Sequence, residues 1–278
     1  MVIDPNDLSV FDNTPDETLY GLSPRDFFAL CTFPFKKASP LKIRPAISGD
    51  VMDRLPFFRL CEDLLAILAS KEALKLTGNG NLPIAIVKEL YAKGTVTDPL
   101  VDKGIIKSFR EQEIISIAAA RRVCTMAGLI KKRQNQLTLT KKGHKLRANR
   151  YSLLSKILVT HGYDFSTSQF DGYPDHATGA YGSHVVWYLL LRYGSSPRPT
   201  RYYGEKYLSL FPELLTPFGN RHTSAIDQFF RCFEVRTFMR FNDWWGFTET
   251  TEARYGEIAM TKQTDLLSGV LEFVRDKR

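Results

Sequence analysis

Hydrophobic residues recur at helical spacing in three stretches of the first half of the chain. Between 56 and 70, Phe57, Leu60 and Leu64 stand on one face of an amphipathic pattern, which predicts a helix. The stretch 82–94 predicts a second helix, with Pro83 in its first turn and Gly94 just past its end. A third helix is expected to run through Met126, opened by a capping box of Ser108 and Glu111.

Short alternating stretches predict strands between and after these helices. Residues 73–77 (ALKLT) favour a strand and 78–81 (GNGN) a turn. The run 129–143, LIKKRQNQLTLTKKG, predicts a hairpin with QNQ at its tip, directly after a helix that Gly128 closes. The order helix, strand, helix, helix, strand, turn, strand is that of a winged helix-turn-helix domain.

The second half repeats this order in weaker form. Helices are expected at 151–162, 182–194 and 224–233, and Gly246-Phe247 stands where Gly128-Leu129 stands. EIAMTK at 257–262 matches QLTLTK at 136–141, with an intervening turn three residues longer. We therefore predict a mainly α fold with small β-hairpins (α+β), built as tandem winged helix-turn-helix-like domains with an N-terminal arm. The expected bounds are 1–52 for the arm, 53–150 for the first domain and 151–278 for the second.

The arm is divided by six prolines and has room for one short helix. Ser23 as N-cap and Pro24 at the first helical position predict that helix in SPRDFFALC, residues 23–31.

Four spellings resemble an uncharacterised family of bacterial proteins. They are GLSP at 21–24, PF at 34–35, LKLTGNGNLP at 74–83 and AGLI…LTLTKKG at 127–143. Members of that family carry a similar LT-x-x-GNLP run followed by a GLI…LT-x-x-G hairpin, and this chain departs from it by an extra Gly-Asn pair. The resemblance covers the first half well and the second in outline. It implies the fold and a bacterial cytoplasmic protein, but no activity.

Charge singles out the predicted hairpin. Residues 121–150 hold ten Lys or Arg and no acid, residues 1–150 hold 24 basic against 16 acidic side chains, and residues 151–278 hold 14 of each. Clustered cations on a wing favour contact with phosphates, so duplex DNA is the predicted partner. The predicted contact residues are Arg121, Arg122, Lys131, Lys132, Arg133, Gln134, Asn135, Lys141, Lys142, Lys145 and Arg147. The alternative is a protein-binding adaptor that uses the neutral, aromatic-rich second half.

Acidic residues weigh against base readout by the third helix. Its expected start carries Glu111 and Glu113, which repel phosphate. We therefore expect the wing and the Arg121–Arg122 end to dominate, with poor base specificity.

Catalytic motifs are absent from the sequence, and we expect no enzyme, metal or cofactor. His161, Asp164, Asp175, His176 and His184 fall close together, but without metal-ligand spacing. We interpret them as a surface loop, with His184 partly buried on a helix. The four cysteines are interpreted as buried free thiols, and Phe229, Phe230 and Phe233 as core, with Arg231, Arg236 and Arg240 on outer positions. The chain has neither a secretory signal nor a long apolar run, so we expect a cytoplasmic protein without membrane contact.

Overall fold

The computed structural model describes residues 8–166, 168–174, 183–219, 224–251 and 258–274. Its α-helices are α1 (Pro24–Thr32), α2 (Gly49–Asp53), α3 (Pro56–Ala69), α4 (Ile84–Ala92), α5 (Pro99–Asp102), α6 (Ile115–Met126), α7 (Lys141–Arg147), α8 (Arg150–Val159), α9 (Ser183–Tyr193), α10 (Thr200–Leu210), α11 (Ala225–Phe233), α12 (Asp243–Trp245) and α13 (Asp265–Val270). π-Helical turns span Thr160–Asp164 and Glu234–Asn242, and 3₁₀ turns span Ser168–Phe170 and Pro212–Leu215.

The strands form small antiparallel sheets, so the predicted α+β class is confirmed. They are β1 (Leu41–Ile43), β2 (Leu74–Lys75), β3 (Ile130–Arg133), β4 (Gln136–Leu139), β5 (Arg198–Pro199), β6 (Thr248–Thr250), β7 (Met260–Gln263) and β8 (Leu271–Phe273). The sheets have the orders β1-β8, β2-β4-β3 and β5-β7-β6. Across the described ranges, no helix is long and apolar enough to span a bilayer.

The chain divides into two compact units. The middle unit comprises Ser48–Phe165 with Trp244–Gly246, and the split unit comprises Met1–Ile47, Ser166–Asp243 and Phe247–Arg278. The expected boundary at 150 falls inside the middle unit, because α8 begins at Arg150 and packs on α3 and α7. The expected arm falls almost wholly within the split unit, where β1 pairs with β8.

Inside the middle unit, α3 forms the centre of the core. Phe57, Phe58 and Leu64 are fully buried, and α3 packs against α6 and β4. The apolar stripe of this helix therefore lies inward, as its spacing predicts.

The predicted capping box of the third helix is wrong. Helix α6 begins only at Ile115, and Ile114 caps it without a side-chain hydrogen bond. Glu111 turns inward instead, where its carboxylate accepts the N–H of Leu82 at 2.6 Å. Ser108 hydrogen-bonds to Glu113 and not to the start of the helix.

The helix-to-hairpin junction has the same backbone pattern in both halves. Gly128 and Gly246 both have positive φ, of 72° and 69°. The following residues, Leu129 and Phe247, each donate to the carbonyl five residues back, and their own carbonyls accept from Thr140 and Thr264. Each of these threonines then caps a helix, α7 or α13.

This pattern shifts the predicted alignment of the hairpins. Thr140 corresponds to Thr264, whereas EIAMTK against QLTLTK had paired it with Thr261. Alternating strand patterns leave such slips undetermined, while the hydrogen bond from the capping threonine fixes the register.

Candidate nucleic-acid interface

The outward face of the β2-β4-β3 sheet is basic. Directly paired residues lie on the same face of a sheet and neighbours alternate. Leu74 and Leu137 are paired and buried, so Lys75, Gln136 and Arg133, which form the next row, point outward. Lys131, paired with Thr138, also lies on that face. Lys75, Lys131 and Arg133 are all exposed. The sheet thus presents three cations on one side.

Lys132 belongs to the opposite face. It pairs with Leu137, and its Nζ lies 2.4 Å from the position that a Cβ on Gly80 would occupy. Lys132 therefore covers the turn after β2 and does not join the outward row, although the residue is exposed.

The hairpin turn is held rigidly. Gln134 and Asn135 have φ of 48° and 59°, the two positive values of a type I′ turn, which matches the twist of the strands. The Asn135 side-chain amide donates to the carbonyls of Leu76 and Thr77, at 3.2 and 2.9 Å. Asn135, predicted as a contact residue, is therefore used to tie the turn to the loop after β2, whereas Gln134 is exposed.

Helix α7 adds further cations at the base of the hairpin. Thr140 caps this helix by accepting the N–H of Gly143 at 2.9 Å, so α7 starts immediately after β4. Lys141, Lys145 and Arg147 are exposed on it. Lys142 differs, because its ammonium donates to the carbonyl of Ala127 at 2.8 Å. Partial burial, together with Lys156, lowers the pKa of Lys142.

Most of the predicted cations have no carboxylate partner among the residues that the structure describes. Within the part of the chain that the structure describes, no ion pair includes Arg122, Lys131, Lys132, Arg133, Lys141, Lys142, Lys145 or Arg147. Elsewhere in the same unit, Arg150 contacts Glu62 at 2.7 Å and Lys93 contacts Asp63 at 2.8 Å. The positive charge on the hairpin and α7 is thus left for a partner.

Arg121 has an internal role. Its Nε lies 2.5 Å from Glu111, which is 2% exposed, and its Nη1 donates to Gly80 O at 2.9 Å. Burial raises the pKa of Glu111, opposed by the Leu82 N–H and by Arg121. Arg121 was predicted as a contact residue, but the structure uses it to fasten the turn after β2 to α6, while the neighbouring Arg122 is exposed.

The side chains in the first turns of α6 are buried or half-buried and cannot reach into a DNA groove. Ser116, Ile117 and Ala118–Ala120 are all buried, and Glu111, predicted at the start of this helix, lies inside the unit. A recognition helix reads base edges with exposed side chains near its N-terminus. Helix α6 has no exposed side chain near its N-terminus, so the exposed side chains that could contact DNA lie on the hairpin.

Two of the histidines, His161 and His184, are core residues. His161 is buried against Phe57 and accepts a hydrogen bond at Nδ1 from Trp245 at 3.1 Å, so its interpretation as part of a surface loop is wrong. His184, expected to be partly buried, is 1% exposed. Burial lowers the pKa of each to about 3, so both are neutral at physiological pH. Asp175 and His176 lie outside the described residues.

A cavity of about 450 Å³ lies in the split unit, beside the β6–β7 hairpin. Its most buried carboxylate is Asp243, which accepts hydrogen bonds from Thr248 at 2.6 Å and Thr250 at 3.0 Å. Burial raises the pKa of Asp243 to about 6. Sequence reasoning missed this group, because a lone Asp at a helix end has no motif. Within the described ranges, no cluster of three metal-binding side chains exists.

Comparison with protein-family models, with curated proteins and with solved structures finds no match for this chain. The interpretation of the site therefore depends on its geometry and charge.

Proposed function

We propose that this protein binds duplex DNA through the outward face of the β2-β4-β3 sheet and helix α7, with little base specificity. The observation that carries the proposal is that three exposed cations on this face, Lys75, Lys131 and Arg133, have no carboxylate partner among the described residues. Phosphate contacts of this kind release counterions and give affinity that falls steeply with salt. The buried start of α6 supports low specificity, since phosphate contacts carry no sequence information.

The fold that we propose for both halves is the winged helix. In the middle unit, α3, β2, α4, α6, β3 and β4 come in this order, with the short helix α5 between α4 and α6, and β4 is the central strand of the sheet. In the split unit, α9, β5, α10, α11, β6 and β7 follow in the same order, with β7 central. The matching Gly128 and Gly246 junctions support a tandem arrangement. Only the first hairpin is basic, because Glu249 pairs across the strands with Lys262 in the second.

A salt titration tests the DNA proposal. We expect the chain to bind a labelled duplex of random sequence at low salt, as measured by fluorescence anisotropy. The double variant Lys131→Gln/Arg133→Gln removes two phosphate contacts, so the slope of log K against log salt becomes shallower by about 1.8. Lys132→Gln, whose side chain covers Gly80, has a smaller effect.

The matched control is Lys36→Gln/Lys37→Gln, which removes two exposed charges from the split unit. Equal slopes for the two double variants, or no binding by the natural chain at low salt, contradict the proposal. Absence of DNA binding together with a stable complex with another protein favours the adaptor alternative.

A further inference from the structure

Three tyrosine rings surround one ammonium group on the split unit. The Nζ of Lys206 lies 4.2 Å from the ring centroid of Tyr20, 4.6 Å from that of Tyr202 and 5.2 Å from that of Tyr193. A cation within about 6 Å of a ring face is attracted to the π electrons. Lys206 and the three rings are all half-buried, so this cluster borders solvent.

Two arginines extend the cluster and are held in place. Arg198 lies over the ring of Tyr202 at 4.6 Å, and Arg192 lies over the ring of Tyr193 at 5.3 Å. Arg198 Nε donates to the Tyr193 carbonyl at 3.0 Å, and Arg192 Nη1 donates to the Tyr188 hydroxyl at 3.1 Å. Both guanidinium groups are therefore oriented before any ligand arrives. We call Tyr20, Arg192, Tyr193, Arg198, Tyr202 and Lys206 the tyrosine–cation patch.

Among the described residues, no carboxylate forms an ion pair with the cations of the patch. Within the described part of the split unit, Arg44, Arg201 and Arg236 pair with Glu272, Glu205 and Asp171, whereas no ion pair includes Arg192, Arg198 or Lys206. The charges share rings, since Arg198 and Lys206 both lie over Tyr202, and Arg192 and Lys206 both lie over Tyr193. An anion that contacts the patch therefore meets more than one positive charge. The patch is thus prepared for an anionic ligand.

The rings narrow the class of anion. Cations alone suit any phosphate, but cations interleaved with aromatic side chains suit a strand of unpaired nucleotides, because the bases stack while the phosphates meet the charges. We propose that the tyrosine–cation patch binds single-stranded nucleic acid with little sequence preference. This site is independent of the basic hairpin proposed to bind duplex DNA.

Fluorescence anisotropy of a labelled 12-nucleotide oligo(dT) tests the proposal. Against the full natural chain, we expect Arg198→Gln/Lys206→Gln to weaken binding about tenfold. Tyr20→Leu removes a ring that Lys206 contacts at 4.2 Å and keeps every charge, so it should weaken binding by about fivefold or more. Tyr202→Leu serves as a second ring variant, and circular dichroism checks that each variant folds.

Two controls separate this site from the hairpin. Lys36→Gln/Lys37→Gln removes the same charge from the same unit and should leave oligo(dT) affinity within about twofold of the natural chain. Lys131→Gln/Arg133→Gln removes the same charge from the hairpin and should weaken oligo(dT) binding less than Arg198→Gln/Lys206→Gln does. The proposal is overturned if the natural chain fails to bind oligo(dT) at low salt. It is equally overturned if both ring variants bind as tightly as the natural chain, or if only the hairpin variant loses binding. These outcomes do not depend on whether the chain binds duplex DNA.

Discussion

Arg236 and Asp171 form a buried ion pair whose removal has a calculable cost. Arg236 Nε and Nη2 donate to the two carboxylate oxygens, both at 2.8 Å, and Nη2 also donates to Pro174 O at 3.1 Å. The Arg236 side chain is 1% exposed and that of Asp171 is 5% exposed. The pair fastens the segment that contains Asp171 to the π-helical turn Glu234–Asn242, within the split unit.

Asp171→Ala leaves a guanidinium buried without its counter-charge. Breaking such a pair from one side costs about 3–5 kcal/mol, because the remaining charge loses both water and partner. The double variant Asp171→Leu/Arg236→Met removes both charges and keeps apolar volume, so it should cost about 1 kcal/mol or less. The single variant should therefore be less stable than the double variant.

Urea denaturation followed by circular dichroism measures these free energies of unfolding. The control is Glu272→Ala, which breaks the Arg44–Glu272 pair of the same unit, whose side chains are 42% and 29% exposed. We expect about 0–1 kcal/mol there, since solvent screens an exposed pair. A cost for Asp171→Ala no larger than that of the control, or a double variant less stable than the single one, refutes the reasoning.

Three further predictions concern stability. Gly143→Ala places a Cβ 2.1 Å from the Leu129 carbonyl, and should cost about 3 kcal/mol in urea denaturation, whereas Gly49→Ala, with open space around it, should be neutral. His161 has its pKa lowered to about 3, so its contribution to stability falls as pH drops below 6.5, by about 2 kcal/mol at pH 5. His161→Gln should remove this part of the pH dependence and leave the similar part that comes from His184. Asp243 has its pKa raised to about 6, so it stabilises the folded state at low pH and loses that contribution, up to about 3 kcal/mol at pH 8, as pH rises through about 6. Asp243→Asn should remove this loss. If the difference in stability between the variant and the natural chain is the same at pH 4 and pH 8, the prediction is wrong.

Several local features follow from sequence alone. Ser23 caps α1 by accepting the N–H of Asp26 at 3.0 Å, with Pro24 at the first helical position, as predicted. Gly128 closes α6 with positive φ, and β3 and β4 form the predicted hairpin. These features depend on neighbours within a few residues, so spacing and residue type were sufficient to predict them.

The predicted position of Arg236 was wrong, because the prediction relied on residue type. We expected it on an outer position because it is charged, but it lies three residues after Phe233, which places it on the inward face with Phe229. The spacing was the better guide. Its partner Asp171 is 65 residues away in the chain, so no local pattern indicates that the charge would be compensated.

Some features of the candidate interface could be predicted from the sequence, and others could not. Alternation along a strand already separates Lys131 and Arg133 from Lys132, so the outward row could be predicted once the hairpin was recognised. That Arg121 is bound to Glu111, and Asn135 to the loop after β2, could not be predicted, because those partners come from other parts of the chain.

The amino-acid sequence by itself determined the main amphipathic helices, the turn at Gly128, the hairpin and the excess of positive charge on it, because each arises from short-range periodicity, backbone preference or composition. Only the tertiary structure decided which cations stay free and which are neutralised, and that His161 is core. Those outcomes depend on contacts between distant segments, where burial makes a charge or an imidazole costly unless a specific partner or a change of protonation compensates it.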